Sequence, residues 1–116
     1  MNIVVATGRL KSDPVISYTE NKKEGDNSLM MAKYTLIQSQ SKDNGWKNDL
    51  NFIPCICFGR TAQIAKDYLK QGKLVTIEGR FQGMIRENDG DKYFYSNIVV
   101  KKQIFDINDK QNTEEN

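Results

Sequence analysis

The stretch NFIPCICFGRTAQIAKDYLKQGKLVTIEGRFQ, Asn51 to Gln82, decides the fold. It changes period twice. Read as a strand, FIPCICF puts Phe52, Pro54, Ile56 and Phe58 on one face and Ile53, Cys55 and Cys57 on the other. Both faces are apolar, as in a strand buried on two sides. Pro54 argues against that, because it cannot donate to a central ladder and belongs at an edge or bulge. One face of this strand is therefore expected to be apolar without being covered by protein. TAQIAKDYLKQ, Thr61 to Gln71, then carries a narrow apolar stripe at helical spacing, Ala62, Ala65, Tyr68 and Leu69, and Gly72 supplies a stop. From Lys73 to Arg86 the pattern is strand again, with Val75, Ile77 and Gly79 on one side. Gly79 and Gly83 inside it suggest bulges or sharp coiling.

Working outward, Ile3 to Leu10 reads as a first strand, closed by the turn KSDP, Lys11 to Pro14. Thr19 to Asn27 is a polar loop. Ser28 to Gln40 alternates, with Met30, Ala32, Tyr34 and Leu36 on one face and Lys33 and Thr35 on the other. Ser41 to Asn48 is a loop holding the lone Trp46. After the central stretch, Glu87 to Asp91, ENDGD, is a hairpin turn. Lys92 to Ile107 is a last strand, with Phe94, Ser96, Ile98 and Val100 on one face. One helix between the third and fourth strands of a small, glycine-punctuated chain suggests an all-β fold with one helix: the OB-fold, a five-stranded Greek-key barrel. Residues 1–107 make this domain, and residues 108–116 are expected to form a short disordered acidic tail.

Composition bounds the function. The 116 residues carry 17 basic and 15 acidic groups. The charge is uneven: residues 106–116 carry a net −3, leaving a net +5 on residues 1–105, which is compatible with a polyanionic partner. Without histidine the commonest general base is missing. Cys55-x-Cys57 has neither redox nor zinc-site spacing, so both thiols read as core packing. No nucleophile elbow, phosphate loop or paired-carboxylate pattern occurs. The expectation is a binding protein, not an enzyme, with no cofactor and no metal. No apolar run approaches the length of a membrane span and no leader pattern opens the chain, so no membrane association and a cytoplasmic location are expected.

Several segments together resemble the bacterial and phage single-stranded DNA-binding protein family. Asn51 to Gln82 is similar to that family's central block: an aromatic, a few apolar residues, W/F-G-K/R, a helix ending YL-x-K-G, then V-x-x-E-G-x-L. NIVVATGRLKSDPVISYT, Asn2 to Thr19, resembles its first strand and G-R/N-L-x-x-D-P turn; YTLIQS, Tyr34 to Ser39, its second strand; Tyr93 to Val100, its last. The resemblance implies an OB-fold homo-oligomer, a homotetramer first and a dimer second, that coats single-stranded DNA in replication, recombination and repair. Replication and recombination proteins are then candidate partners. Catalysis and cofactors are not implied.

Binding single strands without sequence preference needs aromatic faces for the bases and a basic track for the phosphates. By the resemblance, Phe52 and Phe58 take stacking positions and Arg60 a basic position near DNA. Arg9, Lys33, Lys70, Lys73 and Arg80 are further candidate phosphate contacts. Two positions depart from the family pattern. An aromatic expected after the second strand aligns with Lys42, and Trp46 is its nearest replacement; a stacking aromatic late in the fourth strand aligns with Arg86, which can itself stack on a base. The alternatives are an OB-fold protein-interaction or primosome accessory module with weak DNA binding, an RNA-binding barrel, and a thiol oxidoreductase using Cys55 and Cys57. The short tail ends QNTEEN, acidic but without an apolar anchor. It is expected not to dock partners by the tail tip, which suggests a phage or plasmid version of the family.

Overall fold

The computed structural model describes residues 1–19, 28–41 and 48–107. They form six strands and one helix: β1 (Val4–Leu10), β2 (Val15–Thr19), β3 (Leu29–Ser41), β4 (Asn48–Phe58), α1 (Gly59–Tyr68), β5 (Leu74–Asn88) and β6 (Asp91–Ile104). The sheet runs β1-β5-β6-β4-β3-β2, and β1 also pairs with β3. The pairings thus return to β1 and make a ring of five strands, β1, β3, β4, β5 and β6, with β2 attached outside it. Each ladder is antiparallel except β4–β6. Among the barrel strands the helix lies between the third and the fourth, so the fold is the OB-fold. The sixth strand was not expected. VISYT is β-branched and aromatic, and once Pro14 has broken the ladder it pairs with β3 from Val15↔Lys33 to Thr19↔Leu29.

Alternation explains the core. The inward residues of each strand meet inside the ring: Leu10, Ala32, Tyr34, Leu36, Cys55, Cys57, Val75, Ile77, Ile98 and Val100, with Ala62, Ala65 and Leu69 of the helix segment closing one end. Tyr34, Cys57 and the start of the helix are tied by one amide. Tyr34 Oη donates to Gln103 Oε1 at 2.7 Å, and Gln103 Nε2 donates to the Thr61 carbonyl at 3.2 Å. The helix ends at Tyr68, short of the expected Gln71, where Leu69 turns extended (φ −98°, ψ 140°). Tyr68, expected in the buried stripe, is instead half-exposed with its ring against Phe105, centroids 5.8 Å apart.

Two features shape the β5–β6 hairpin. Its register slips between Glu78 and Gly79, a bulge at one of the two expected positions. A side chain at Gly79 would run into the Val99 carbonyl, so glycine allows the strands to close there. The turn is the two residues Asp89 and Gly90, both at positive φ (56° and 86°). That is the mirror-image turn a two-residue hairpin prefers, with Asn88 opposite Asp91. No helix among the described residues is long and apolar enough to cross a membrane.

Candidate nucleic-acid interface

The outer face of the sheet follows from register. One transverse row reads Lys33–Ile56–Val99–Arg80 across β3, β4, β6 and β5. Cys55↔Ile98, one residue away, faces the core, so this row faces out. Phe58 lies two residues along β4 from Ile56, opposite Met31, and Phe52 lies four the other way, opposite Ile37. Phe52 is 48 % exposed and Phe58 37 %. At about 3.4 Å per residue their positions are roughly 20 Å apart. Pro54, also exposed, stands beside the point where the short β4–β6 ladder begins. Ile56 is the buried member of this face, flanked by Lys33 and Val99.

The cations divide into groups. Lys33, Arg80 and Arg86 are exposed on the outer face. Arg86 sits opposite Tyr93, with its guanidinium carbon 5.5 Å from the centre of the Tyr95 ring. Arg9 stands in register with Ile37, in the same row as Phe52, but one of its guanidinium nitrogens donates to the Gly72 carbonyl at 2.9 Å. Arg60 is exposed in the first turn of the helix, where it lines a groove with Ile64, Tyr68 and Phe105. Lys70 is exposed in the connection from helix to β5, next in sequence to Gln71, whose backbone N–H donates to Asp13 Oδ1 at 2.9 Å, and no ladder places it on the outer face. Lys73 is a correction. It is only 5 % exposed, its Nζ donates to the Asp106 carbonyl at 2.8 Å, and it lies 5.6 Å from the Phe105 ring centre. That amine fastens the end of β6 to the barrel and is not available to a phosphate. Trp46 lies outside the described residues.

The sequence reading missed Tyr93 and Tyr95. The signal was available: with Phe94, Ser96, Ile98 and Val100 on the inward parity, alternation sends the two tyrosines to the parity of Val99 and Arg80.

The thiols sit behind this face. Cys55 and Cys57 are free and buried. Burial, and for Cys55 then its neighbour Cys57, push their pKa values up to about 12 and about 11. Burial first, and then the two cysteines, raises the Tyr34 phenol as well. At neutral pH all three are protonated, so the face has a neutral backing; its exposed charges are Lys33, Arg80 and Arg86, with the exposed Glu78 two positions before Arg80 on β5 and Asp91 at the start of β6. No group of three or more acidic or thiol side chains placed to hold a metal occurs among the described residues.

An OB-fold barrel with an open aromatic and basic outer face is thus the class of molecule the geometry defines. Comparison with known proteins agrees. The model of the single-strand binding protein family matches residues 1–106. A single-stranded DNA-binding protein of Clostridium tetani is 32 % identical over 106 residues, covering 90 % of this chain and 70 % of that protein. Single-stranded DNA-binding protein 3 of Listeria innocua is 32 % identical over 114 residues, 97 % and 67 % of the two chains. A relative from Fusobacterium nucleatum is 34 % identical over 92 residues, 79 % and 58 %. The chain belongs to the single-strand binding protein family.

Proposed function

We propose that the chain binds single-stranded DNA without sequence preference, by stacking bases on Phe52 and Phe58 while Lys33, Arg60, Arg80 and Arg86 neutralise phosphates. The observation that carries this is the outer-face register, which sets the phenylalanines of β4 between a lysine on β3 and arginines on β5. Stacking is indifferent to base identity because every base has a π-face. A duplex hides those faces, so the site selects single strands. Bound this way the protein coats and protects exposed strands during replication, recombination and repair in the cytoplasm, binds without catalysis, and leaves replication and recombination proteins to act around it.

The same reading includes a homo-oligomer, a tetramer first and a dimer second. β1 is laddered to β5 along Val4–Arg9 but to β3 only at Arg9 and Leu10. The Asn2 side chain extends the β5 side, donating to the Phe81 carbonyl and accepting from the Phe81 N–H, both at 2.9 Å. The opposite edge from Asn2 to Ala6 has no ladder among the described residues, and Ile3 and Val5 beside it are exposed. An open edge of this kind pairs with another strand.

The test is a titration with oligo-dT, oligo-rU and duplex DNA at two salt concentrations, following the fluorescence of the single tryptophan. Oligo-dT binds far more tightly than duplex, and affinity falls as salt rises. Equal affinity for duplex overturns the proposal. Light scattering reports the assembly, and a monomer at micromolar concentration refutes both oligomeric forms.

A further inference from the structure

A polar groove interrupts the outer face between the two phenylalanines, and stacking with phosphate neutralisation gives it no task. We propose that this groove seats the edge of one nucleobase and favours guanine, so that a single position of an otherwise indifferent track reads base identity. This rests on the reading of the outer face as a single-strand track.

The groove is walled by Ser12 and Asp13 of the turn before β2, Lys33 and Thr35 of β3, Pro54 of β4 and Asn97 of β6. It holds about 210 Å³, about seven water molecules' share of liquid volume, which is room for one heterocyclic base. Strand geometry opens it. The β4–β6 ladder stops at Cys55↔Ile98, so Pro54 and Asn97 line the groove without pairing across it. On the far side Pro14 separates the turn from β2, whose ladder with β3 starts at Val15↔Lys33. Pro54 is exposed on the face of Phe52 and Phe58, two residues from the first and four from the second. A strand stacked on both rings therefore passes over the groove.

The chemistry of its walls names the base. Asp13 is the acid among them. Its Oδ1 accepts from the Gln71 N–H at 2.9 Å, which holds the carboxylate in place. A carboxylate has about four lone-pair sites, and this bond uses one. Lys33 lines the same groove, exposed, and no hydrogen bond or ion pair among the described residues engages its amine. The groove thus combines a pair of acceptor oxygens with a cationic donor.

A carboxylate repels phosphate, and it repels the two carbonyl oxygens on the base-pairing edge of thymine. Cytosine and adenine each bring one amino group and satisfy one oxygen. Guanine presents N1–H and N2–H₂ side by side, a match for both carboxylate oxygens, and its neighbouring O6 accepts from a lysine. Of the four bases only guanine meets the acid and the amine together. Pro54 supplies an apolar surface against which the ring can lie.

The test titrates the full chain with oligo-dT long enough to fill one site, about 4–16 nucleotides, carrying a single dG moved through each position in turn. At the groove position dG tightens binding about 5-fold or more over all-dT, the low end for a bidentate base contact. Deoxyinosine there, which lacks the N2 amino group, gives a smaller gain, and 7-deazaguanine, whose base-pairing edge is intact, gives the full one. Asp13→Asn keeps an oxygen for the Gln71 N–H but removes the charge and one acceptor. It loses the preference for dG and binds all-dT more tightly than the parent, because an anion beside the phosphates is gone. Equal affinity for dG and dT at every position, a deoxyinosine gain equal to that of dG, or a dG preference that survives in Asp13→Asn each overturns the guanine site. Failure of the parent chain to bind all-dT instead removes the underlying reading of the face.

Discussion

Replacing Phe52 with alanine separates a working aromatic from a packing one. Phe52 is 48 % exposed. A fully buried phenylalanine loses about 3–5 kcal/mol of stability on truncation to alanine, so a half-buried one loses about 1.5–2.5 kcal/mol. The chain stays folded, because small domains hold about 5–15 kcal/mol in reserve. Binding suffers separately: one base loses its platform, at a cost of about 1–3 kcal/mol, or about 5- to 140-fold in Kd. Urea unfolding gives the first quantity, and oligo-dT titration at fixed salt and at a temperature where the variant is folded gives the second. The salt dependence of Kd stays parental, because no charge has been removed. A stability loss of the full 3–5 kcal/mol with unchanged Kd would refute the reasoning, showing Phe52 to be core.

Arg60→Ala lowers the slope of log K against log salt by about 0.7, the single-strand value for one lost phosphate contact, whereas Lys73→Met leaves that slope unchanged and lowers stability instead; oligo-dT titrations over a salt series read both. Tyr34→Phe removes the hydroxyl bonded to Gln103 Oε1 and costs about 1–3 kcal/mol in urea unfolding, with Kd for folded protein unaltered. Cys55 and Cys57 resist iodoacetamide in the native protein and react on unfolding; rapid native alkylation would contradict their burial. Because their folded pKa values, about 12 and about 11, lie above the ordinary 9.0, folding favours the protonated thiols. The stability this contributes is complete below pH 9 and is lost as pH rises from 9 towards 11 and 12, by up to about 1.4 kcal/mol per pH unit for each thiol. Urea midpoints across that window check the sign.

Much of the barrel was legible because alternation is a local property. The pattern from Phe52 to Phe58 named the covered and uncovered sides of β4, and Pro54 told them apart. Ile56 was the exception: its register neighbours bury it on a side that is otherwise open. Lys73 could not be read from its own neighbourhood. It stands between Gly72 and Leu74, just after the turn that follows the helix, and what buries it, Phe105 and the Asp106 carbonyl, lies more than thirty positions away. β2 was missed because five residues after a proline give little periodicity to count. The tyrosines of β6 were implied by the parity of their neighbours, but attention to the inward side left them unread. Arg86 was noticed as the residue in an aromatic's place; that its guanidinium braces a ring on the facing strand depends on a hairpin register that no single strand contains.

The ring of strands is fastened by two short seams, Arg9–Leu10 against Ile37–Leu36 and Cys55–Ile56 against Ile98–Val99, while the hairpins between them are laddered over eleven residue pairs or more. Local opening follows the fewest bonds broken, so the barrel parts first at these seams, like a cylinder with two hinges. A single strand lying across the row from Lys33 to Arg80 spans the β4–β6 seam from outside and acts as a stitch. Slowed amide hydrogen exchange on binding is therefore concentrated at Cys55, Ile56, Ile98 and Val99, residues whose side chains include none of the stacking aromatics.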